Sequence, residues 1–322
     1  MSNTSKIVLI TGATAGIGRF TALHLAKRGH HVIASGRKPA ELAKLREEAA
    51  ALVLPNGAKA TLDTLILDVT SQTSIAAAQR EVDQLTNGHG VDVLVNNAGF
   101  GILGPTSEID DAEMRRQYET NVFGLMNVTR AFLPRMRERR SGRIVNVSSL
   151  GGRITLPYFG VYNSTKYAIE SLSDALRYEL RAFGVDVSLI EPGVIRTNFE
   201  ATAVDNLDRF STTPYAPAIA RYEQMSKQAD KFASEPTVVA KAIARAVEAR
   251  RPAARYVAPF FSNQVVMFMK ALVPQRVWDW AVRKVANLDA KTLGVHRPIE
   301  VTDAPATVTP SSRTPQPEAR AN

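Results

Sequence analysis

Short, nearly unbroken apolar runs alternate along the chain with longer stretches in which apolar residues recur every three or four positions. The short runs are Lys6–Thr11 (KIVLIT), His31–Ser35, Thr61–Leu67, Val91–Val95, Arg143–Val147, Val185–Ile190 and Arg255–Val257. Their continuous apolar character marks strands buried on both faces. The stretches between them predict helices over Gly16–Arg28, over Pro39–Leu52 with proline in its first turn, and over Ser71–Thr86 capped by Ser71. A long helix is marked by Met114, Tyr118, Val122, Leu125, Thr129, Phe132 and Met136, and another by Tyr162, Ile169, Leu172, Leu176 and Leu180. Pro236–Arg250 is the last of the series. Strict alternation of strand and helix predicts an α/β fold, a parallel sheet covered on both faces.

Three regions break the pattern. Thr197–Glu235 is polar, irregular and too long for an ordinary loop, yet holds Phe199, Leu207, Phe210, Tyr215, Ile219, Tyr222 and Met225. Ser262–Leu288 carries Val265, Val266, Phe268, Met269, Leu272, Val273, Trp278, Trp280 and Val282 around Pro274. From Pro298 onward the chain is rich in Pro, Thr, Ser and Ala without apolar periodicity, and disorder is expected there.

Composition narrows the chemistry. The 322 residues are 45% hydrophobic, enough for one large core or two small ones. The chain has no cysteine, which removes disulfides, thiolate zinc sites and cysteine nucleophiles and suits a reducing cytoplasm. The five histidines (His24, His30, His31, His89 and His296) show no metal-ligand spacing, so no metal is expected. The N-terminus has no signal-peptide pattern, and no apolar run is long enough to span a membrane. The net charge of +9 is densest over Arg135–Arg143, where it reads as a solvated helix end. No recognition motif accompanies the charge, and nucleic-acid binding is not expected.

Directly after the first strand comes Thr11-Gly12-Ala13-Thr14-Ala15-Gly16-Ile17-Gly18, then a helix. Glycines there allow a tight turn and let the backbone approach a pyrophosphate at the positive end of the helix. The second strand ends in Ser35-Gly36-Arg37-Lys38, with no carboxylate for a ribose 2′-hydroxyl. Arg37 and Lys38 suit a 2′-phosphate instead, favouring NADP(H) over NAD(H). Farther along, Tyr162 and Lys166 stand four apart, on one face of their helix. An ammonium beside a phenol favours the phenolate, and a tyrosine so tuned can exchange a proton during carbonyl–alcohol interconversion.

The ordered set Thr11-Gly12…Gly16-Ile17-Gly18, Asp68-Val69, Asn96-Asn97-Ala98-Gly99, Asn121, Ser148-Ser149, Tyr162…Lys166 and Pro192-Gly193…Thr197 resembles the short-chain dehydrogenase/reductase family over about residues 6–258. The resemblance implies a single-domain Rossmann-type, doubly wound sheet of seven parallel strands, followed here by a C-terminal helical extension. It places a serine thirteen positions before the tyrosine, which selects Ser149. The implied roles are Tyr162 as acid/base and Lys166 as its tuner and a ribose ligand. Ser149 would be the donor to the carbonyl oxygen, and Asn121 the holder of a relay water. Gly12, Thr14, Gly16, Ile17 and Gly18 would line the pyrophosphate. Asp68 and the Val69 amide would contact the adenine, Asn96, Ala98, Gly99, Pro192, Gly193 and Ile195 would lie along the cofactor, and Thr197 would meet the nicotinamide carboxamide.

By the same resemblance, residues 197–235 are a substrate lid on a catalytic domain spanning 1–260, and 261–297 form the extension. The lid's apolar residues can line a pocket or form a small core of their own. The sequences Val185–Phe199 and Phe132–Gly152 are similar to the branch with steroid 17β-type and retinol dehydrogenases and bacterial carbonyl reductases, implying an apolar carbonyl or alcohol substrate. A 3-oxoacyl thioester reductase is the rival enzyme, and a non-catalytic NADP-binding redox sensor the rival class. The resemblance implies a homodimer or homotetramer through the helices bearing Asn121 and Tyr162. Residues 262–288 can pack on the core, cover the pocket mouth, fill a subunit interface or rest on a membrane surface.

Overall fold

The computed structural model describes residues 5–54, 56–197, 207–229 and 233–294. Seven parallel strands form one sheet in the order β3-β2-β1-β4-β5-β6-β7. They are β1 (Ile7–Ile10), β2 (His31–Gly36), β3 (Thr61–Ile66), β4 (Val93–Asn96), β5 (Gly142–Val147), β6 (Val185–Pro192) and β7 (Arg255–Ala258). Register pairs such as Ile10 with Ala34, Val8 with Val93, and Ile144 with Val187 set apolar side chains beside one another across the centre. This is the Rossmann-type arrangement, a single domain with a helical C-terminal part.

Helices cover both faces. On one lie α1 (Gly16–Lys27), α2 (Pro39–Ala50) and α8 (Thr237–Glu248), packed through Ala22, Leu25, Leu45, Val239 and Ile243. On the other lie α3 (Gln72–Leu85), α5 (Leu125–Glu138) and α6 (Gly160–Leu180), packed through Ile75, Val82, Phe132, Met136 and Leu176. Ser71 caps α3 by accepting from the Ser74 amide at 3.2 Å.

Two regions differ from the periodicity, and a third forms the expected helical extension. The single long helix over Met114–Met136 is instead α4 (Asp111–Tyr118), a π-helical turn at Glu119–Gly124, and then α5. Within 197–235 the described residues hold a 3-10 turn at Leu207–Phe210 and a helix α7 (Ala216–Ala229), where the composition suggests irregular chain. Beyond β7 the chain folds as α9 (Phe260–Leu272) and α10 (Gln275–Val285), broken at Val273-Pro274. The tail from Pro298, Phe199, and the side chain of Met225 lie outside the described residues.

Candidate active site

The strand order reverses between β1 and β4, and the carboxyl ends of such neighbours are where open α/β sheets bind ligands. The turn Thr11–Ala15 lies there. Gly12 sits at φ +65° and Gly16 at φ +48°, a region open to glycine at little cost. A Cβ at Gly12 would lie 2.8 Å from Ala98 Cα, and one at Gly18 would overlap the Gly12 carbonyl and fall 2.5 Å from Asn97 Nδ2. Thr14 packs its methyl against Gly36, where a Cβ would come within 2.6 Å of it. Ile17 turns inward onto the core beneath α1.

Asn97 fixes the shape of this turn, and it was absent from the expected ligand set. Its Nδ2 donates to the carbonyls of Thr11 at 3.0 Å and Gly12 at 3.1 Å. In return Thr11 Oγ1 accepts from the Asn97 and Ala98 amides, both at 3.0 Å. The N-cap of α1 is Ala15, which makes no side-chain cap bond. A glycine cradle that one methyl would fill, at a helix N-terminus capped by no side chain, fits a dinucleotide pyrophosphate.

Arg37 and Lys38 are both exposed just past β2. Burial works to raise the Asp68 pKa. Two hydrogen bonds from Thr70, at 2.9 and 2.8 Å, and the charge of Arg37 hold it below the usual carboxylate range instead. Asp68 thus shares its rim with Arg37. Val69 is buried against Gly124. The side chain of Asn96 faces away from the crevice. Its Nδ2 donates to Thr129 Oγ1 and Asn146 Oδ1, each at 2.9 Å, and Asn146 Nδ2 continues to Ser173 Oγ at 2.9 Å. This buried polar chain ties β4 and β5 to α5 and α6, so any cofactor contact at Asn96 falls to its main chain.

On the opposite wall, α6 presents Tyr162 and Lys166, with the Lys166 ammonium 5.7 Å from the Tyr162 ring centre. Lys166 is buried and donates to the Val147 carbonyl at 2.9 Å. Ser149 follows β5 and caps the short turn Leu150–Gly152, accepting from the Gly151 amide at 3.0 Å. Asn163, a second residue the motif reading passed over, holds that turn by donating to the Gly151 carbonyl at 2.7 Å. Asn121 lies in the π turn. Its Oδ1 accepts from the Phe100 amide at 3.1 Å, and its Nδ2 donates to the Phe100 carbonyl at 2.9 Å and to Thr165 Oγ1 at 3.1 Å. It therefore pins the segment after Gly99 to the Tyr162 helix.

The electrostatics depart from the simple picture of a lysine depressing a tyrosine. Tyr162 keeps some surface in the crevice, but protein encloses its phenol. Burial pushes the pKa up to about 12, against a lowering hydrogen bond from Ser149. Lys166 is brought down to about 8 by burial, opposed by the charge of Glu170. Glu170 stands one turn further along α6, itself raised by burial. Arg255 binds Glu170 and Glu191 at 3.1 Å each, and Arg153 meets Glu191 at 3.2 Å.

Between the two walls, β6 ends in Pro192-Gly193. A Cβ at Gly193 would come within 2.7 Å of Asn263 Nδ2, so α9 touches the site here. Ile195 is buried and bridges to Ser234, and Thr197 reaches the glycine turn, with its Cγ2 3.4 Å from where a Gly16 Cβ would stand. Leu207, Phe210 and Ile219 are buried with Ile102, Leu103 and Tyr158 in a small core of their own. From that core Tyr158, Tyr222, Phe159 and Tyr162 form a row, with successive ring centres 5.2, 6.3 and 6.4 Å apart.

Residues 6–208 match the family model for short chain dehydrogenases. A 3-ketodihydrosphingosine reductase of Bacteroides thetaiotaomicron is 33% identical over 284 residues, 86% of this chain and 97% of the relative. An NADPH-dependent 3-dehydrocapnine reductase of Ornithobacterium rhinotracheale is 33% identical over 294 residues, 89% of this chain and 98% of the relative. The crystal structure of a short-chain dehydrogenase from Streptomyces avermitilis aligns with a TM-score of 0.70 at 31% identity, covering 89% of this chain and 99% of that one. With the glycine turn at the switch point of a seven-stranded sheet, a match of this length means that the chain belongs to the short-chain dehydrogenase family, oxidoreductases that bind a nicotinamide cofactor.

Proposed function

We propose that this protein is an NADPH-dependent reductase of a ketone carried on a long apolar chain. The observation that carries the reading is a buried Tyr162–Lys166 pair with Ser149 beside the phenol and a glycine cradle across the crevice. The cofactor, when bound, supplies hydride. Gly12, Thr14, Gly16 and Gly18 would hold its pyrophosphate, Arg37 and Lys38 its 2′-phosphate, and Lys166 and Thr197 its nicotinamide end. Ser149 Oγ donates to the substrate carbonyl and polarises it. Tyr162 delivers its phenolic proton to that oxygen as the alcohol forms. The Lys166 ammonium steadies the phenolate left behind, and Asn121 holds the route by which the proton is replaced.

A phenol held near pKa 12 is fully protonated at neutral pH, which suits reduction over oxidation. Lys166 is cationic below its pKa of about 8 and neutral above it, so kcat/KM for reduction is expected to be level near neutrality and to fall above about pH 8. Glu170 raises the Lys166 pKa, so Glu170→Gln moves that limb to lower pH, whereas Lys166→Arg moves it well above 8. A profile unchanged in both variants would remove Lys166 from the titration.

For the cofactor, the double variant Arg37→Ala/Lys38→Ala is expected to raise the KM for NADPH about 10- to 100-fold, the scale of losing charge-assisted phosphate bonds. The KM for NADH should move little. Equal losses for both would sink the 2′-phosphate assignment.

For the substrate, support comes from the aromatic row leading to Tyr162 and from two relatives named for 3-keto or 3-dehydro substrates. The lid at 197–235 would close over the chain, with 1–260 as the catalytic unit and α4–α6 as the surface of a homo-oligomer. The similarity of Val185–Phe199 to the steroid branch supports a second reading, a rigid polycyclic ketone. The deciding experiment follows NADPH oxidation with 3-ketoamines of increasing chain length, polycyclic ketones and 3-oxoacyl thioesters. On the first reading, kcat/KM climbs with chain length. A preference for polycyclic or thioester substrates would replace it, and NADPH binding with no turnover on any would point to the redox sensor.

A further inference from the structure

We infer that the outward surface of α9 and α10 rests on an anionic lipid bilayer, next to the mouth of the catalytic crevice. On α9, Val265, Phe268, Met269 and Leu272 recur at i, i+3, i+4 and i+7, which places them in one stripe. That stripe faces outward, with Phe268 65% and Leu272 64% exposed, whereas Asn263 on the other side of the helix is buried. An amphipathic helix of a monomer ordinarily turns such a stripe to the core, so this one lacks an internal partner among the described residues. On α10, Val277, Trp280 and Lys284 share a face, and Trp280 is 57% exposed. Lys270 joins the two helices, donating to Gln275 Oε1 at 2.6 Å and lying 5.2 Å from the Trp278 ring centre.

Charge identifies what covers this surface. Between Phe260 and Gly294 the cations are Lys270, Arg276, Arg283, Lys284 and Lys291, and the carboxylates are Asp279 and Asp289. Arg276 and Arg283 are exposed and border one side of the Trp280 face, as basic residues occupy the polar side of helices lying in a membrane interface. A two-fold contact with a second copy would set these cations against themselves. A bilayer accepts both halves of the surface, with acyl chains under Phe268 and Leu272 and anionic headgroups beside the cations. No described helix is long and apolar enough to cross a membrane, so the pair lies on the surface.

The placement bears on the site at both ends of the pair. Asn263 in α9 packs on Gly193, and the carbonyl of Ala286, just past α10, accepts from Tyr158 Oη at 3.1 Å. Tyr158 heads the aromatic row to Tyr162, and Arg221 of α7 binds Thr292 at 2.8 Å. A bilayer under this pair would therefore deliver an apolar substrate beside the lid.

The test uses the full chain and sucrose-loaded vesicles of phosphatidylcholine, with and without one quarter phosphatidylglycerol. It reads sedimentation without turnover, so its failure is separable from failure of the ketone reading. Wild type is expected to sediment with the anionic vesicles, less so at high salt, and weakly with phosphatidylcholine alone. Phe268→Glu/Leu272→Glu should lower the bound fraction about tenfold, with NADPH affinity, melting temperature and oligomer mass unchanged. Three results would each overturn the inference. One is no binding to anionic vesicles, another is binding indifferent to the double variant, and the third is a fall in oligomer mass in that variant, which would show a second copy on this face.

Discussion

Tyr162→Phe is expected to lower kcat for ketone reduction by about 10²–10⁴-fold, the span of a lost general acid, while NADPH binds as before. The substitution removes one oxygen from an enclosed position and leaves the ring in place, with its edge contact to Phe159 at 6.4 Å between centres. Ser149 Oγ keeps the Gly151 amide as donor, so no buried polar atom loses its last partner. Stability should accordingly stay within about 1 kcal/mol of wild type. A stopped-flow measurement of NADPH oxidation, with a thermal melt of the same sample, separates the two effects. Turnover within a few-fold of wild type would show that the proton comes from elsewhere.

Gly18→Ala should damage the fold and the cofactor cradle together. The added methyl would overlap the Gly12 carbonyl oxygen and crowd Asn97 Nδ2, the amide that holds the turn. Neither is the free end of a flexible chain, so the turn must move. Overpacking of this kind costs about 1–3 kcal/mol. If the strain falls on the bound shape of the turn, NADPH affinity drops by about 10- to 100-fold at 1.4 kcal/mol per decade. Calorimetric titration with NADPH and urea unfolding of the apo protein would measure both. An unaltered dissociation constant would mean that the Gly12–Gly18 contact does not shape the site.

Much of this architecture is legible in the letters. The central strands show as nearly unbroken apolar runs, whereas the edge strand Thr61–Ile66 carries Thr and Asp and is exposed at both ends, and strict alternation with helices then dictates a parallel sheet. Glycines with positive φ are legible in part, since Gly12 and Gly16 sit where a strand must turn sharply into a helix. Other features escape because they depend on enclosure, which spacing does not encode. The separation of Tyr162 from Lys166 suggests a depressed tyrosine, but protein packed around the phenol has the larger effect and raises it. The same holds for Asn96, whose motif suggests a ligand although its amide is turned toward Thr129 and Asn146. Asn97 and Asn163 carry their weight through hydrogen bonds to nearby main chain, and their trace in the sequence is an amide inside each motif that the ligand assignments leave without a role. The apolar letters of 262–288 suit a core, an interface or a membrane surface alike, and only the structure shows Phe268, Leu272 and Trp280 facing out.

The π turn at Glu119–Gly124 makes this part of the chain sensitive to length rather than to lettering. An α-helix advances about 100° per residue, and a π turn accommodates one residue more than the regular ladder needs. Deleting any one residue between Glu119 and Gly124 would let α4 and α5 merge into one unbroken helix, stable in itself. The flanking helices would nearly keep their present register, because the π turn already absorbs the extra residue. Gln117, which donates to the Phe100 carbonyl from α4, would keep its place, but the Asn121 amide, set by the widened turn, could no longer reach both Phe100 and Thr165. Point exchanges here can be absorbed by packing, but a one-residue deletion gives a well-formed helix without the widened turn that places Asn121.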